Sequence, residues 1–253
     1  MDTAGGTGYR DLAAYYSLLF PLNDRQREFF EHLCSTGPAA SVLDVGCGTG
    51  EHLAWFSARG LRCHGLEPDE TMFRELRRRS WPGTVPTLVQ SGVEALPQAI
   101  GEQVDLVLCL GNTLPHLPGR ETIRESVRRM AGALSEAGRI VLQTVNFDKV
   151  LAEGRGVFPV IERSLPGGGR ISFHREYDLR GLPDRLVFRT RLATPAGERS
   201  AAWPLVPLRR DELARFARDA GLDEIVVFGD YSRVPFAADS PALILVAQRG
   251  KGR

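Results

Sequence analysis

The sequence predicts an α/β fold: a doubly wound, seven-stranded sheet with a small antiparallel β insertion after its fifth strand. Three features carry that expectation. Short runs of Val, Leu, Ile and Cys alternate with amphipathic stretches through the first 150 residues, as in a parallel sheet wrapped by helices. The first run opens straight into a glycine-rich turn, VLDVGCGTG at 42–50. Beyond residue 150 the texture changes to Gly/Pro turns between aromatic and β-branched segments, and helical periodicity returns at 209–220.

Strands are expected at 41–45, 62–66, 87–90, 104–110 and 139–145, each mainly apolar because helices cover both faces of a parallel sheet. Helices fill the gaps. Residues 25–34 put Phe29, Phe30 and Leu33 on one stripe, 51–58 and 69–79 follow the first two strands, and 121–134 sets Ile123, Val127, Met130 and Leu134 at helical spacing. Gly60 and Gly138 stand where helix stops are expected. In the insertion, LPGGGR at 165–170 and GLPD at 181–184 are turn signals separating strands at 157–164, 171–179 and 186–194. The apolar runs 224–228 and 242–247 close the chain as an antiparallel pair. The expected division is a body of residues 1–150 and 207–253 with a β-rich insertion at 151–206.

Composition narrows the function classes. The 253 residues are 43% hydrophobic and 25% charged, and 32 Lys and Arg against 31 Asp and Glu leave a net charge of +1. Such a chain has no bulk attraction for polyphosphates, so nucleic acid is not an expected partner. Cys34, Cys47, Cys63 and Cys109 form no CxxC pair and match no histidine spacing, so neither a metal site nor a disulfide framework is expected, and a reducing, cytoplasmic compartment fits. The start lacks the basic-then-apolar pattern of a signal peptide, and no apolar run approaches the roughly 20 residues needed to span a bilayer. No membrane partner is expected.

The chemistry concentrates in the glycine turn. Gly46 and Gly48 let backbone approach a ligand without an intervening Cβ, and Gly50 permits the turn and the close packing of the next helix. Glu51 stands where a dinucleotide fingerprint needs its last glycine, and an acid at a helix start repels a pyrophosphate, which disfavours a nicotinamide cofactor. Asp44 beside the turn can take a ligand ammonium or brace backbone NH groups; its plainer reading is a buried strand acid. Glu67 ends the second strand, where doubly wound folds place an acid on a ribose diol. His32, His52 and His64 show no convergent pattern and read as surface or core histidines.

VLDVGCGTG followed by Glu67 in HGLEPDE resembles the first two motifs of class I S-adenosylmethionine-dependent methyltransferases. The resemblance implies S-adenosyl-L-methionine as cofactor, held by Asp44, Gly46, Cys47, Gly48, Glu67 and Pro68. It places the adenine at the turn of Gly92, Val93 and Glu94. Many members carry Asp where this chain has Gly92, so backbone NH groups of Val93 and Glu94 would serve in its place. LGNTLPHL at 110–117 resembles the LGNS-x-x-HL signature of glycine N-methyltransferase-like enzymes, and NFDKVL at 146–151 is similar to their NYD-x-I-L. Tyr15 and Tyr16 look like that subgroup's N-terminal tyrosines, and Arg25 lies where the subgroup has an arginine on the methionyl carboxylate.

On this resemblance the insertion at 151–206 is a lid and acceptor-binding region, Leu110 and Gly111 join the cofactor wall, and Asn112, His116, Asn146 and Tyr16 are the candidates for acceptor chemistry. Each keeps a plainer alternative. His116 is an acceptor-facing base or a locked helix-start histidine; Asn146 orients the acceptor or caps a loop; one tyrosine faces the methyl sulfonium while the other belongs to the core. Arg170, Arg175, Arg189 and Arg191 lie on the inserted strands, where arginine forks suit a carboxylate acceptor, and none is assigned. The implied reaction is methylation of a small molecule, nitrogen favoured, with oxygen methylation or a non-catalytic cofactor-binding regulator as alternatives. The acceptor's identity and the oligomeric state, a homodimer included, are left open.

Overall fold

A computed structural model describes residues 8–250. Three N-terminal helices, α1 (Gly8–Ala13), α2 (Tyr16–Leu19) and α3 (Asp24–Ser35), precede the alternating core. That core runs β1 (Ser41–Val45), α4 (Glu51–Ser57), β2 (Arg62–Leu66), α5 (Glu70–Arg78), β3 (Thr87–Val89), β4 (Val104–Cys109), α6 (Arg120–Gly132) and β5 (Leu134–Val145). After α7 (Phe147–Glu153) come four strands, β6 (Ile161–Ser164), β7 (Arg170–Asp178), β8 (Leu186–Thr194) and β9 (Gly197–Leu205). The chain then returns through α8 (Arg210–Asp219), β10 (Glu224–Phe228) and β11 (Ala242–Gln248).

Seven strands form one sheet in the order β10-β11-β5-β4-β1-β2-β3, parallel except for β11, which runs antiparallel to β5 and to β10. Alternate residues of β1 feed two cores, as the pleat requires. Leu43 and Val45 join Ile123, Val127 and Met130 of α6 and Leu213 and Phe216 of α8 on one face. Val42 joins Phe29, Phe30, Leu53, Phe56 and Leu76 from α3, α4 and α5 on the other. The strand order reverses between β1 and β4, and there a doubly wound sheet opens a crevice at the carboxyl ends of its strands. The second sheet, β6-β7-β8-β9, is antiparallel throughout. Its inward residues Ile171, Phe173 and Leu192 pack on Leu12 and Leu19 of the N-terminal helices, so those helices are clamped between the two sheets.

The structure departs from the sequence expectations at identifiable places. Strand β5 begins at Leu134, and Gly138 lies inside it, where an added Cβ would come within 2.9 Å of the Val104 carbonyl; it packs against a neighbouring strand and stops no helix. The insertion has a fourth strand, β9, hidden from the sequence because its first residues are exposed and polar and Pro204 interrupts its pattern. Strand β6 starts only at Ile161, and Val157 makes an isolated bridge to Glu176. Among the described residues no helix is long and apolar enough to cross a membrane, and no group of three His, Cys, Asp or Glu side chains is placed to hold a metal ion.

Asp105 of β4 fixes the far end of the β1 to β4 junction. Its carboxylate accepts from the Ala40 and Ser41 NH groups at 2.8 and 3.2 Å and from the Ser135 hydroxyl at 3.1 Å. Asp105→Ala strands these donors and is expected to lower the unfolding free energy by about 1–3 kcal/mol in urea titration. An unchanged value would show that water replaces these bonds.

Candidate functional site

The turn after β1 is tied down by acceptors on the next strand. Gly46 and Cys47 both donate their NH to the Leu66 carbonyl, at 2.8 and 3.0 Å, and Gly48 donates to Glu67 Oε2 at 2.8 Å. A pyrophosphate cradle would leave such NH groups aimed at the ligand. Here they are consumed within the protein. Gly46 has φ +72°, and a Cβ there would lie 2.5 Å from Thr113 Cγ2, so neither backbone nor space admits another residue.

Above this turn lies a cavity of about 510 Å³, enclosed by the carboxyl ends of β1 and β4, the N-terminal helices and the small sheet. Asp44, Gly46, Cys47, Leu110, Gly111 and Asn112 line it from the large sheet, Tyr16 from α2, and Phe173, Tyr177, Phe188 and Trp203 from the small sheet. Asp44 is only 1% exposed, and its Oδ2 has no hydrogen-bond partner. His52 Nδ1 stands 3.3 Å from that oxygen without making a well-formed bond. A buried carboxylate oxygen left unsatisfied is costly unless a ligand completes it. Glu51, by contrast, is taken up by Arg79, Ser17 and Thr49.

Tyr16 roofs the turn. Its ring lies 3.4 Å from the Cβ position of Gly48, its hydroxyl 3.9 Å from that of Gly111, and burial pushes the phenol's pKa up, reinforced by Glu51, Glu67 and Asp44. Asn112 holds a left-handed backbone, φ +67°, which asparagine tolerates better than most residues. Its Oδ1 accepts from Val145 NH at 3.1 Å, and it lines the cavity together with Tyr177, whose pKa burial also raises. Gln143 of β5 fixes the neighbouring Gly111 NH at 2.7 Å. His116 lines the cavity with its ring edge-on to Trp203 at 6.3 Å, and burial lowers its pKa to about 4.

Glu67 lies outside this enclosure, 7% exposed, with Oε2 on Gly48 and Oε1 accepting from Asp69 NH at 2.9 Å. Burial raises its pKa to about 7 against the opposing effect of those two bonds. Pro68 is exposed beside it. Gly92, Val93 and Glu94 form a turn past β3 in which the Glu94 carboxylate folds back to accept from Gly92 NH at 3.0 Å. The structure therefore groups Glu67, Pro68 and this turn at the β2–β3 side, away from the enclosed chamber.

Three candidates require correction. Asn146 is 1% exposed and fully engaged: Nδ2 donates to the Ala238 and Ser240 carbonyls at 3.1 and 3.0 Å, and Oδ1 caps α7 through Lys149 NH at 3.2 Å. It is the loop-capping residue, buried and off the cavity wall. Tyr15 packs with Leu12, Leu19 and Phe173 where the N-terminal helices meet the small sheet, leaving Tyr16 alone of the pair on the cavity. Arg25 is exposed and off the cavity wall, which α3 reaches through Gln26 and the preceding Asn23. Those two form a reciprocal cap, and Gln26 lines the cavity together with Tyr231. Sequence reasoning missed Gln26, Tyr231, Gln143 and His52 because no local motif marks them. The adjacency of His52 to Glu51 at the start of a helix pointing at the turn was the available signal for one of them.

Comparison with known proteins places this geometry in context. A family model described as a methyltransferase domain matches residues 42–138. The chain is 30% identical over 186 residues to the dTDP-4-amino-2,3,4,6-tetradeoxy-D-glucose N,N-dimethyltransferase of Saccharopolyspora spinosa, covering 73% of this chain and 72% of that protein. It is 25% identical over 230 residues to a glycine/sarcosine N-methyltransferase of Aphanothece halophytica, covering 88% and 81%. Among solved structures, an S-adenosylmethionine-dependent methyltransferase from Clostridium acetobutylicum superposes with TM-score 0.76 at 14% identity, over 96% of this chain and 99% of that one.

The capping role of Asn146 is testable without any ligand. Asn146→Ala should lower the unfolding free energy by about 1–2 kcal/mol, the range for a lost helix cap. An acceptor-facing asparagine would leave urea stability unchanged.

Proposed function

The chain belongs to the class I S-adenosylmethionine-dependent methyltransferases, in their glycine N-methyltransferase-like branch, and from that premise we propose how its residues divide the work. It is an enzyme that methylates a nitrogen of a small molecule. When bound, S-adenosylmethionine supplies a methyl group already activated by a sulfonium.

The residues present fit that cofactor. The unpartnered Oδ2 of Asp44 faces the chamber beside Gly46 and suits the methionyl ammonium. Glu67 uses one lone pair on each oxygen within the protein, and its remaining acceptor sites suit the ribose hydroxyls. The turn at Gly92, Val93 and Glu94, on the same side, flanks the adenine. Tyr16, Leu110 and Gly111 frame the reacting centre and shed water from it, so that an incoming lone pair meets the methyl carbon in line. Asn112 and His116 orient the acceptor. Cofactor binding belongs to the large sheet of the body, 1–150 and 207–253, and acceptor binding to the lid at 151–206.

Nitrogen over oxygen is favoured by the N-methyltransferase relatives, and the enclosed place of His116 on the cavity wall beside Trp203 agrees with it. Held near pKa 4, its imidazole is too weak a base to strip a hydroxyl at neutral pH. The phenols of Tyr16 and Tyr177, pushed up by burial, stay protonated. An amine that arrives neutral brings its own lone pair and needs no such base. Amino acids and amino sugars both fit this requirement, in keeping with the names of the relatives. The net charge of +1 speaks against nucleic acid as the acceptor, and four free cysteines suit a reducing cytoplasm.

Two expected outcomes test the cofactor assignment. Asp44→Ala should weaken S-adenosylhomocysteine binding by about 30-fold or more in calorimetric titration, because the methionyl ammonium loses the carboxylate placed for it, while the unfolding midpoint does not fall. A fall in stability with unchanged affinity would make Asp44 a structural brace. The second outcome concerns pH. Glu67 is raised to about 7 by burial, with Asp69, Asp44, Tyr16 and Cys47 around it. A raised carboxyl contributes stability that is full below its unfolded pKa and lost as pH rises through 7. Ribose donors favour the ionised form, so binding releases a proton, and affinity should be about tenfold weaker at pH 6 than at pH 8. Glu67→Gln should remove that slope; a slope that survives places the proton elsewhere.

A further inference from the structure

The polar side chains at the α3 end of the cavity offer it hydrogen-bond donors. Asn23 and Gln26 both line the cavity, and the oxygen of each side chain is taken by the backbone of the other: Asn23 Oδ1 accepts from Gln26 NH at 3.0 Å, and Gln26 Oε1 from Asn23 NH at 3.1 Å. A carboxamide whose oxygen is engaged in a helix cap keeps its NH2 group for whatever lies beyond it. Tyr231 joins them on the cavity wall, and a phenol is a donor at neutral pH. The segment between β10 and β11 carries it there. Asn146 and Lys149 hold that segment by the carbonyls of Ala238, Asp239 and Ser240, and the Tyr231 ring packs edge-on against Phe29 and Phe30 of α3, with centroids 5.4 and 6.4 Å apart.

His52 completes the group. Its Nδ1 stands 3.3 Å from Asp44 Oδ2, its ring packs edge-on against Phe30 at 5.6 Å, and among the described residues its Nε2 has no hydrogen-bond partner. An imidazolium in this place donates toward Asp44 from one nitrogen and toward a ligand from the other. One corner of the chamber therefore sets the unpartnered oxygen of a buried carboxylate beside the donors of Asn23, Gln26, His52 and Tyr231, which is the complement of a zwitterionic amino-acid head. Arg25 is exposed and off the cavity wall, and the two arginines that do line the cavity, Arg163 and Arg175, stand on the small sheet, bonded to the carbonyls of Leu18 and Glu162 and of Pro159.

We propose that Asn23, Gln26, His52 and Tyr231 bind the methionyl carboxylate of the cofactor while Asp44 takes its ammonium, so that the amino-acid head is held without an arginine. This rests on the methyltransferase reading and replaces Arg25, the residue expected from the sequence for that contact. Gripped at both charges, the head cannot turn, and the sulfonium beyond it keeps one direction toward the acceptor.

The test is calorimetric titration with S-adenosylhomocysteine and with its decarboxylated analogue, which keeps the amine and lacks the carboxylate. Wild type should bind S-adenosylhomocysteine about tenfold or more tighter than the analogue, the worth of hydrogen bonds to a charged group. His52→Ala should lose most of that preference. Gln26→Glu keeps the capping oxygen and puts a second acceptor where the donor stood, so it should weaken S-adenosylhomocysteine, spare the analogue and reverse the order. Arg25→Ala should keep the wild-type preference. The assignment is overturned if wild type binds the two compounds equally, if His52→Ala and Gln26→Glu, shown folded by their melting transitions, keep the preference, or if Arg25→Ala, Arg163→Met or Arg175→Met abolishes it. Wild type that binds neither compound overturns the methyltransferase reading and this assignment with it.

Discussion

The site depends on how the turn after β1 is closed against β2. The Leu66 carbonyl collects two NH groups from the turn and Glu67 collects a third. Because these bonds come from the strand that neighbours β1 in the sheet, the parallel register of β1 and β2 sets the position of the turn. With its amides satisfied internally, the turn offers a ligand the carboxylates that flank it and the space its glycines leave. That combination suits a ligand with a cationic end and a ribose, and gives a pyrophosphate no donors.

The second sheet turns this open crevice into a chamber. It does so through the N-terminal helices, whose Leu12 and Leu19 bury against Phe173 and Leu192 and so carry Tyr16 over Gly48. Desolvation follows from the enclosure, and it explains the direction of the titration shifts around the cavity: phenols raised, imidazole lowered. An enclosed site of this kind gains rate by alignment and exclusion of water, which is what transfer from an activated methyl donor demands. The same enclosure makes an unmatched charge on the wall informative, as at Asp44.

Much of the fold was legible because parallel strands announce themselves as apolar runs and the glycine turn has one workable geometry. Gly46, Gly48, Asp44 and Glu67 could be picked out from spacing alone. What stayed hidden depends on contacts remote in sequence. Strand β9 pairs with β8 along nine residues although its own pattern is polar and contains Pro204. Asn146 and Asn112 look alike in sequence, each an asparagine at a strand end. The carbonyls of Ala238 and Ser240, about ninety residues on, turn the amide of the first away from the cavity, while Val145 NH holds the second at the cavity wall. Arg25 and Gln26 are adjacent, and helix phase alone decides which reaches the chamber.

The most direct test of the account is a paired calorimetric titration of the purified protein at pH 8 with S-adenosylhomocysteine and with NADH. A turn whose amides are spent on Leu66 and Glu67 should bind the adenosyl amino acid at micromolar concentrations and show no heat with the dinucleotide. Saturable NADH binding without any response to S-adenosylhomocysteine would contradict the account, because it would require those amides to face a pyrophosphate.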